Sequence, residues 1–309
     1  MGSRRPGFLA GALPPTSPTL ESRMLAHSVS VIITSCRGGC QLRDAVESVL
    51  VWQTLRVLEL ILVLDDLNCN TSEALAVLPR GDPRLRVVRT SNSSSALQAY
   101  ALGQRQRMGV TANAGIDKVS PRAQWVAFLD DDDIWLPQKL QVQIEGLVHT
   151  GLEISSTEVF GSRTTRCATE YKPWDLSMLA RRSAFEPKNT GWHWDTIKQH
   201  LKRWLTNASL QHHRYPEEVD AKMLRAHNIF ITSTTTVSHR LLRAVGGFDP
   251  AKGHWGGDHD LWLRCLERTG RGLWVNTPLG IYAGQLERRQ GARCRAPPCG
   301  KPRKPISSR

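Results

Sequence analysis

No stretch of this chain approaches the ~20 consecutive apolar residues that a membrane-spanning helix needs. Residues Phe8 to Leu13 are too short and too interrupted by glycine and proline for a signal peptide. The expectation is a cytoplasmic protein, or one peripheral at a membrane surface. Cysteine is sparse and scattered: Cys36, Cys40, Cys69, Cys167, Cys265, Cys294 and Cys299, an odd set with no CxxC pair. That pattern argues against a structural zinc site and fits reduced thiols. Internal repeats are absent. Acidic residues are the minority, 28 against 41 basic, for a net charge of +13. The excess is not spread over the body. Residues 1–27 carry +2 and residues 285–309 carry +7, which leaves +4 for residues 28–284. A specific nucleic-acid partner is therefore not expected. The basic tail is either simply solvated or a contact for an anionic membrane or RNA.

What is present suits a sizeable core: 309 residues, 40% of them hydrophobic, enough for one large or two small domains. Residues 1–27 and 285–309 read as a disordered leader and tail, rich in proline with glycine or arginine. The most informative stretch is Trp125 to Trp135, WVAFLDDDDIW, an apolar run of strand length that ends in four carboxylates. Asp130, Asp131, Asp132 and Asp133 at a strand end repel one another and raise each other's proton affinity unless a cation neutralises them. Hard oxygen ligands suit Mg²⁺ or Mn²⁺. The plainer alternative is a solvated acidic loop in which Asp133 caps the next helix.

Apolar and β-branched runs predict strands at 28–34, 58–64, 85–89, 124–129, 153–160 and 228–237, with short final strands at 272–275 and 280–282. Helical spacing falls at 42–52, 71–78, 96–108, 137–148, 195–208 and 261–268, with Ser238 capping a further short helix that stops at Gly246-Gly247. Alternation of apolar strands and helices predicts a parallel sheet covered on both faces. Ligands of such sheets sit beyond the carboxyl ends of the strands. Asp65, Asp66 and Asp130–Asp133 all fall at such ends.

These residues, in this order, resemble a family 2 glycosyltransferase of the GT-A fold. The likeness runs through Val29–Thr34, Leu42–Leu50 with Gln53-Thr54, Glu59–Val63 with Asp65-Asp66, and Phe128–Trp135 with Pro137 and Lys139-Leu140. It closes with Val245–Asp249 and Gly257–Arg264, and covers roughly residues 28–145 and 228–284. The resemblance implies an α/β fold: one GT-A domain over residues 28–284, with a mainly parallel, Rossmann-like sheet flanked by helices. The unmatched segment 161–226 contributes four tryptophans, Trp174, Trp192, Trp194 and Trp204, which suit the packed core of an inserted subdomain or, because aromatic faces stack on sugars, an acceptor lid.

The same resemblance implies roles. Thr34 and Asp66 line the nucleotide pocket. Asp130 to Asp132 stand at the metal motif, with Asp132 ligating Mn²⁺ or Mg²⁺ and Asp130 or Asp131 contacting ribose or metal. Asp258 stands at the catalytic base. The implied activity is hexosyltransferase-like: inverting transfer from a nucleoside-diphosphate sugar to a saccharide, lipid-linked or protein acceptor. Leu67, Arg37 and Gly257 depart from the family pattern, and no Gln-x-x-Arg-Trp motif follows. A catalytically inactive GT-A-like binding module and a nucleotidyltransferase are the alternatives.

Overall fold

The computed structural model describes residues 28–36, 39–65, 71–92, 107–162, 217–226, 228–252 and 256–283. The leader, the tail, Asp66, the helix at 195–208 and nearly all of the insert and of the helix at 96–108 lie outside these residues.

The apolar runs form the strands that position the site. β1 (Val29–Ser35), β2 (Glu59–Leu64), β3 (Leu85–Arg89) and β4 (Trp125–Asp130) make a parallel unit in the order β3-β2-β1-β4. Its register sets Thr34 beside both Val63 and Asp130, so three strand ends share one rim. Beyond β4 the sheet becomes mixed. β5 (Ile134–Trp135), β6 (Ile154–Ser162), β7 (Glu218–Val219), β8 (Thr236–Ser238) and β9 (Gly272–Ala283) continue it as β4-β8-β6-β9-β5, with β7 also on β9. β8 runs antiparallel to β4 and β6, while β6 and β9 are parallel.

Alternation along β4 divides the core. Trp125, Ala127 and Leu129 face one apolar layer, and Val126 and Phe128 face the other. The first layer is covered by α1 (Gly39–Leu50) and α4 (Lys139–Thr150), which bury Leu42, Val46, Val49, Leu140, Ile144 and Leu147 at helical spacing. Between them in sequence lie α2 (Thr71–Ala76) and α3 (Arg107–Ile116). α5 (Ala221–Ala226), α6 (His239–Ala244) and α7 (Gly257–Thr269) join α3 on the second layer. α3 lies close on the sheet: a Cβ at Gly115 would come within 2.7 Å of Ile32 and 2.9 Å of Val63. Ser238 caps α6 as expected, its hydroxyl accepting from Leu241 N at 3.0 Å.

Three sequence expectations are corrected. The strand expected at 228–237 is a 3₁₀ turn at Thr232–Thr234 followed by the short β8. The hydroxyls of Thr234 and Thr235 both donate back to Ile231 O, at 3.0 and 2.8 Å, and close the turn in place of a ladder. The two short final strands are one strand, β9, with register breaks opposite Thr157–Glu158 and Glu158–Phe160. α3 continues well past Met108, where small residues (Gly109, Ala112, Ala114, Gly115) blur the apolar period. Among the described residues no helix is long and apolar enough to cross a membrane.

Candidate active site

β4 carries its acidic end out of the core at the parallel rim. Asp133 N donates to Asp130 O at 3.3 Å, a tight turn that curls the chain back. Carboxylate oxygens of Asp130, Asp132 and Asp133 then lie within 4.8 Å of one another. Asp130 and Asp132 are half-buried and Asp133 is buried. Asp131 faces a different way: it accepts from Ser35 Oγ at 2.7 Å and Cys36 N at 3.3 Å, tying the exit of β1 to that of β4. Of the residues expected to contact metal or nucleotide, the structure therefore groups Asp130 and Asp132, adds Asp133, and turns Asp131 towards β1. Thr34 is half-buried beside Asp130 on the same rim, and Asp65 is buried there with its N–H on Ser35 O. Three hard-oxygen carboxylates that converge after a buried strand fit Mg²⁺ or Mn²⁺ better than a soft metal.

Asp258 reaches the rim from the opposite face. α7 begins at Gly256, whose φ of 90° lies in the left-handed region that favours glycine. Trp262, one turn on, packs beneath Phe128 of β4 (ring centroids 5.7 Å), and Phe248 closes the triad edge-on to Phe128 at 5.6 Å. This packing sets the first turn of α7 beside the strand end. The half-buried Asp258 accepts from His259 N at 2.7 Å and from Thr232 Oγ1 at 3.2 Å.

Asp260 plays a different part. Its carboxylate pairs with Arg264 Nε at 2.9 Å and lies 3.7 Å from Lys252 Nζ. Arg264 in turn donates to Val245 O and Gly247 O, at 2.5 and 2.7 Å. The Asp-x-x-x-Arg spacing on α7 is thus a clamp on the Val245–Gly247 turn. His259 is also engaged, its Nε2 2.9 Å from Leu224 O.

Sequence reasoning missed Thr232 and Ser233. Ser233 Oγ accepts from Asp130 N at 3.0 Å, and its neighbour Thr232 holds Asp258. One turn therefore links the acidic strand end to Asp258. The signal was the Thr-Ser-Thr-Thr-Thr run at 232–236, read as β-branched strand. A groove of about 850 Å³ lies at the other end of β4, lined by Trp125, Leu147, His239 and Arg243 among others. It is remote from both acidic groups.

The chain matches the model of the family described as glycosyl transferase family 2 over residues 30–205. It is 29% identical over 128 residues to the succinoglycan biosynthesis protein ExoO of Rhizobium meliloti, which covers 41% of this chain and 32% of that protein. Among solved structures it is similar to residues 1–349 of S. aureus TarS, with 13% identity, a TM-score of 0.54, and coverage of 84% of this chain and 61% of that one. The same fragment in complex with UDP-GlcNAc matches with 12% identity and a TM-score of 0.51, covering 83% and 58%. The chain thus spans about a third of the curated relative. The structural likeness shows a shared GT-A fold.

Proposed function

Because the chain belongs to glycosyl transferase family 2, we propose that it moves a sugar from a nucleoside-diphosphate-sugar donor to an acceptor hydroxyl, with inversion at the anomeric carbon. The observation that carries this reading is the linkage of the Asp130–Asp132–Asp133 cluster to Asp258 through one short turn. Thr34, Asp66 and the rim of β1 and β2 take the nucleotide. A divalent cation held by Asp130, Asp132 and Asp133 would supply Lewis-acid stabilisation of the departing diphosphate.

Asp258 takes the proton of the acceptor hydroxyl as that oxygen bonds to the anomeric carbon. The bond from that carbon to the diphosphate oxygen breaks, and the nucleoside diphosphate leaves with the electron pair. Attack opposite the leaving group is a single displacement, which inverts the centre, by the same logic as inverting hydrolases. TarS was crystallised with UDP and with UDP-GlcNAc, so uridine-diphosphate sugars are the first donors to test. The acceptor is a saccharide, a lipid-linked sugar or a protein. The insert 161–226 serves as its lid, and the tail 285–309 gives a salt-sensitive contact with anionic membrane.

The test is a screen of nucleotide sugars for Mn²⁺- or Mg²⁺-dependent thermal stabilisation and nucleoside-diphosphate release. Asp132→Ala should abolish metal-dependent donor binding and leave the melting temperature within a few degrees of wild type. Full turnover of the wild-type protein in EDTA would refute the metal assignment.

A further inference from the structure

Behind the turn at Thr232–Thr234 lies a buried polar network that the reaction itself does not use. Lys139, the first residue of α4, is fully buried, with Nζ 3.9 Å from the centroid of the Trp135 ring. Its amine donates to Gln143 Oε1 at 2.6 Å. Burial pushes the Lys139 pKa well below the ordinary lysine value. Gln143 Oε1 also accepts from Thr236 Oγ1 at 3.1 Å, while Nε2 donates to Ser155 Oγ and to Thr234 O, both at 2.9 Å. All four hydrogen-bonding positions of the carboxamide are used. A flipped amide would set Oε1 against the carbonyl of Thr234, which can only accept, so Thr234 O fixes which way Gln143 faces and Lys139 holds its oxygen in place.

The turn is gripped at further points. Trp135 Nε1 donates to Ser233 O at 2.6 Å, and Thr234 Oγ1 lies 2.6 Å from Ser156 Oγ. On its other side the turn presents Ser233 Oγ to Asp130 N and Thr232 Oγ1 to Asp258. Burying an amine is costly, so stability alone does not account for Lys139 at this place. What apolar side chains could not do is fix two carbonyls and two hydroxyls in one orientation.

We propose that the turn Thr232–Thr234 is the spacer that sets Asp258 against the acidic end of β4, and that Gln143, braced by Lys139, is the positioning residue that locks it. This inference rests on the transferase reading and on Asp258 as base. A misplacement of about 1 Å between reacting groups can cost about 100-fold in rate without contact to the substrate.

The test uses the full chain, Mn²⁺ and the nucleotide sugar selected by the screen above. The double variant Lys139→Met/Gln143→Leu replaces the network with apolar side chains of like size. It leaves Thr234 O, Ser155 Oγ and Thr236 Oγ1 without Gln143, so its melting temperature should fall; assayed below that temperature it should keep its donor Kd within about 2-fold, yet lose about 10–100-fold in kcat. Placed on Asp258→Asn, the same pair should cost nothing more, because the spacer acts only through that carboxylate. An unchanged kcat, or a loss that multiplies the Asp258→Asn loss, would overturn the inference. If the double variant does not fold, Thr232→Val decides: kcat should fall at least about 5-fold, with Kd kept and with recovery in Thr232→Ser. Wild-type kcat in Thr232→Val would then refute the spacer. A full rate in Asp258→Asn sinks Asp258 as the base, and no turnover by the wild-type protein with any donor sinks the transferase reading itself. A slow Asp258→Asn beside normal network variants sinks only this inference.

Discussion

At the scale of the residue, the described carboxylates divide by what faces them. Glu59, at the end of β2 remote from the site, is buried and accepts from Ser30 Oγ, Ser120 N and Arg86, the last two at 2.7 and 2.6 Å. Burial alone would raise its proton affinity, but the hydrogen bonds and the arginine outweigh that and hold it below the ordinary glutamate value. The unfolded chain then binds this proton more tightly than the folded one. The contribution to stability is full above the ordinary value of about 4.3 and is lost as pH falls through the lower folded value. Glu59→Gln should therefore weaken the acid dependence of urea unfolding in that window. It should also cost about 1–3 kcal/mol at neutral pH, since a buried charge-assisted set is broken. An acid limb identical to wild type would show that Glu59 does not carry it. Cys265 is the opposite case, with its thiol pushed up to about 12 by burial, so it should stay unreactive to alkylating reagents in the folded protein.

At the scale of the element, α7 joins structure to chemistry. Its buried Trp262 packs on Phe128, and its first turn carries Asp258. Trp262→Ala should destabilise the protein by about 3–5 kcal/mol, read as a lower urea midpoint, because a large buried ring is removed from a packed triad. Asp260→Asn should lower stability through the Arg264 clamp and leave turnover close to wild type. β1, β2, β4 and the acidic strand end were legible in the sequence, because uninterrupted apolar runs that close on polar or charged residues have few other readings. The turn at 232–234 was not: β-branched residues favour strands, and the preference is reversed by backbone bonds from Thr234 N to Ile231 O and Thr235 N to Thr232 O together with the hydroxyl bonds to Ile231 O. The different orientation of Asp131 was equally hidden. It depends on Ser35, 96 positions away in the chain. The extent of α3 beyond Met108 escaped because its buried residues are mostly small, with only Val110 and Ile116 larger and apolar, which carries little periodic signal.

At the scale of the whole molecule, a parallel half presents the acidic rim, and a mixed half returns α7 and the 3₁₀ turn to it. The division is the reason two distant segments, around residues 130 and 258, meet at one place. On the proposed reading this meeting point transfers sugar with Asp258 as the base. The direct measurement is the steady-state release of nucleoside diphosphate from a nucleotide sugar in Mn²⁺, for wild type, Asp258→Asn and Asp260→Asn, with donor affinity measured in parallel. Asp258→Asn should keep donor affinity and lose roughly 10²–10⁴-fold in rate, while Asp260→Asn stays near wild type. A wild-type rate in Asp258→Asn would contradict that reading.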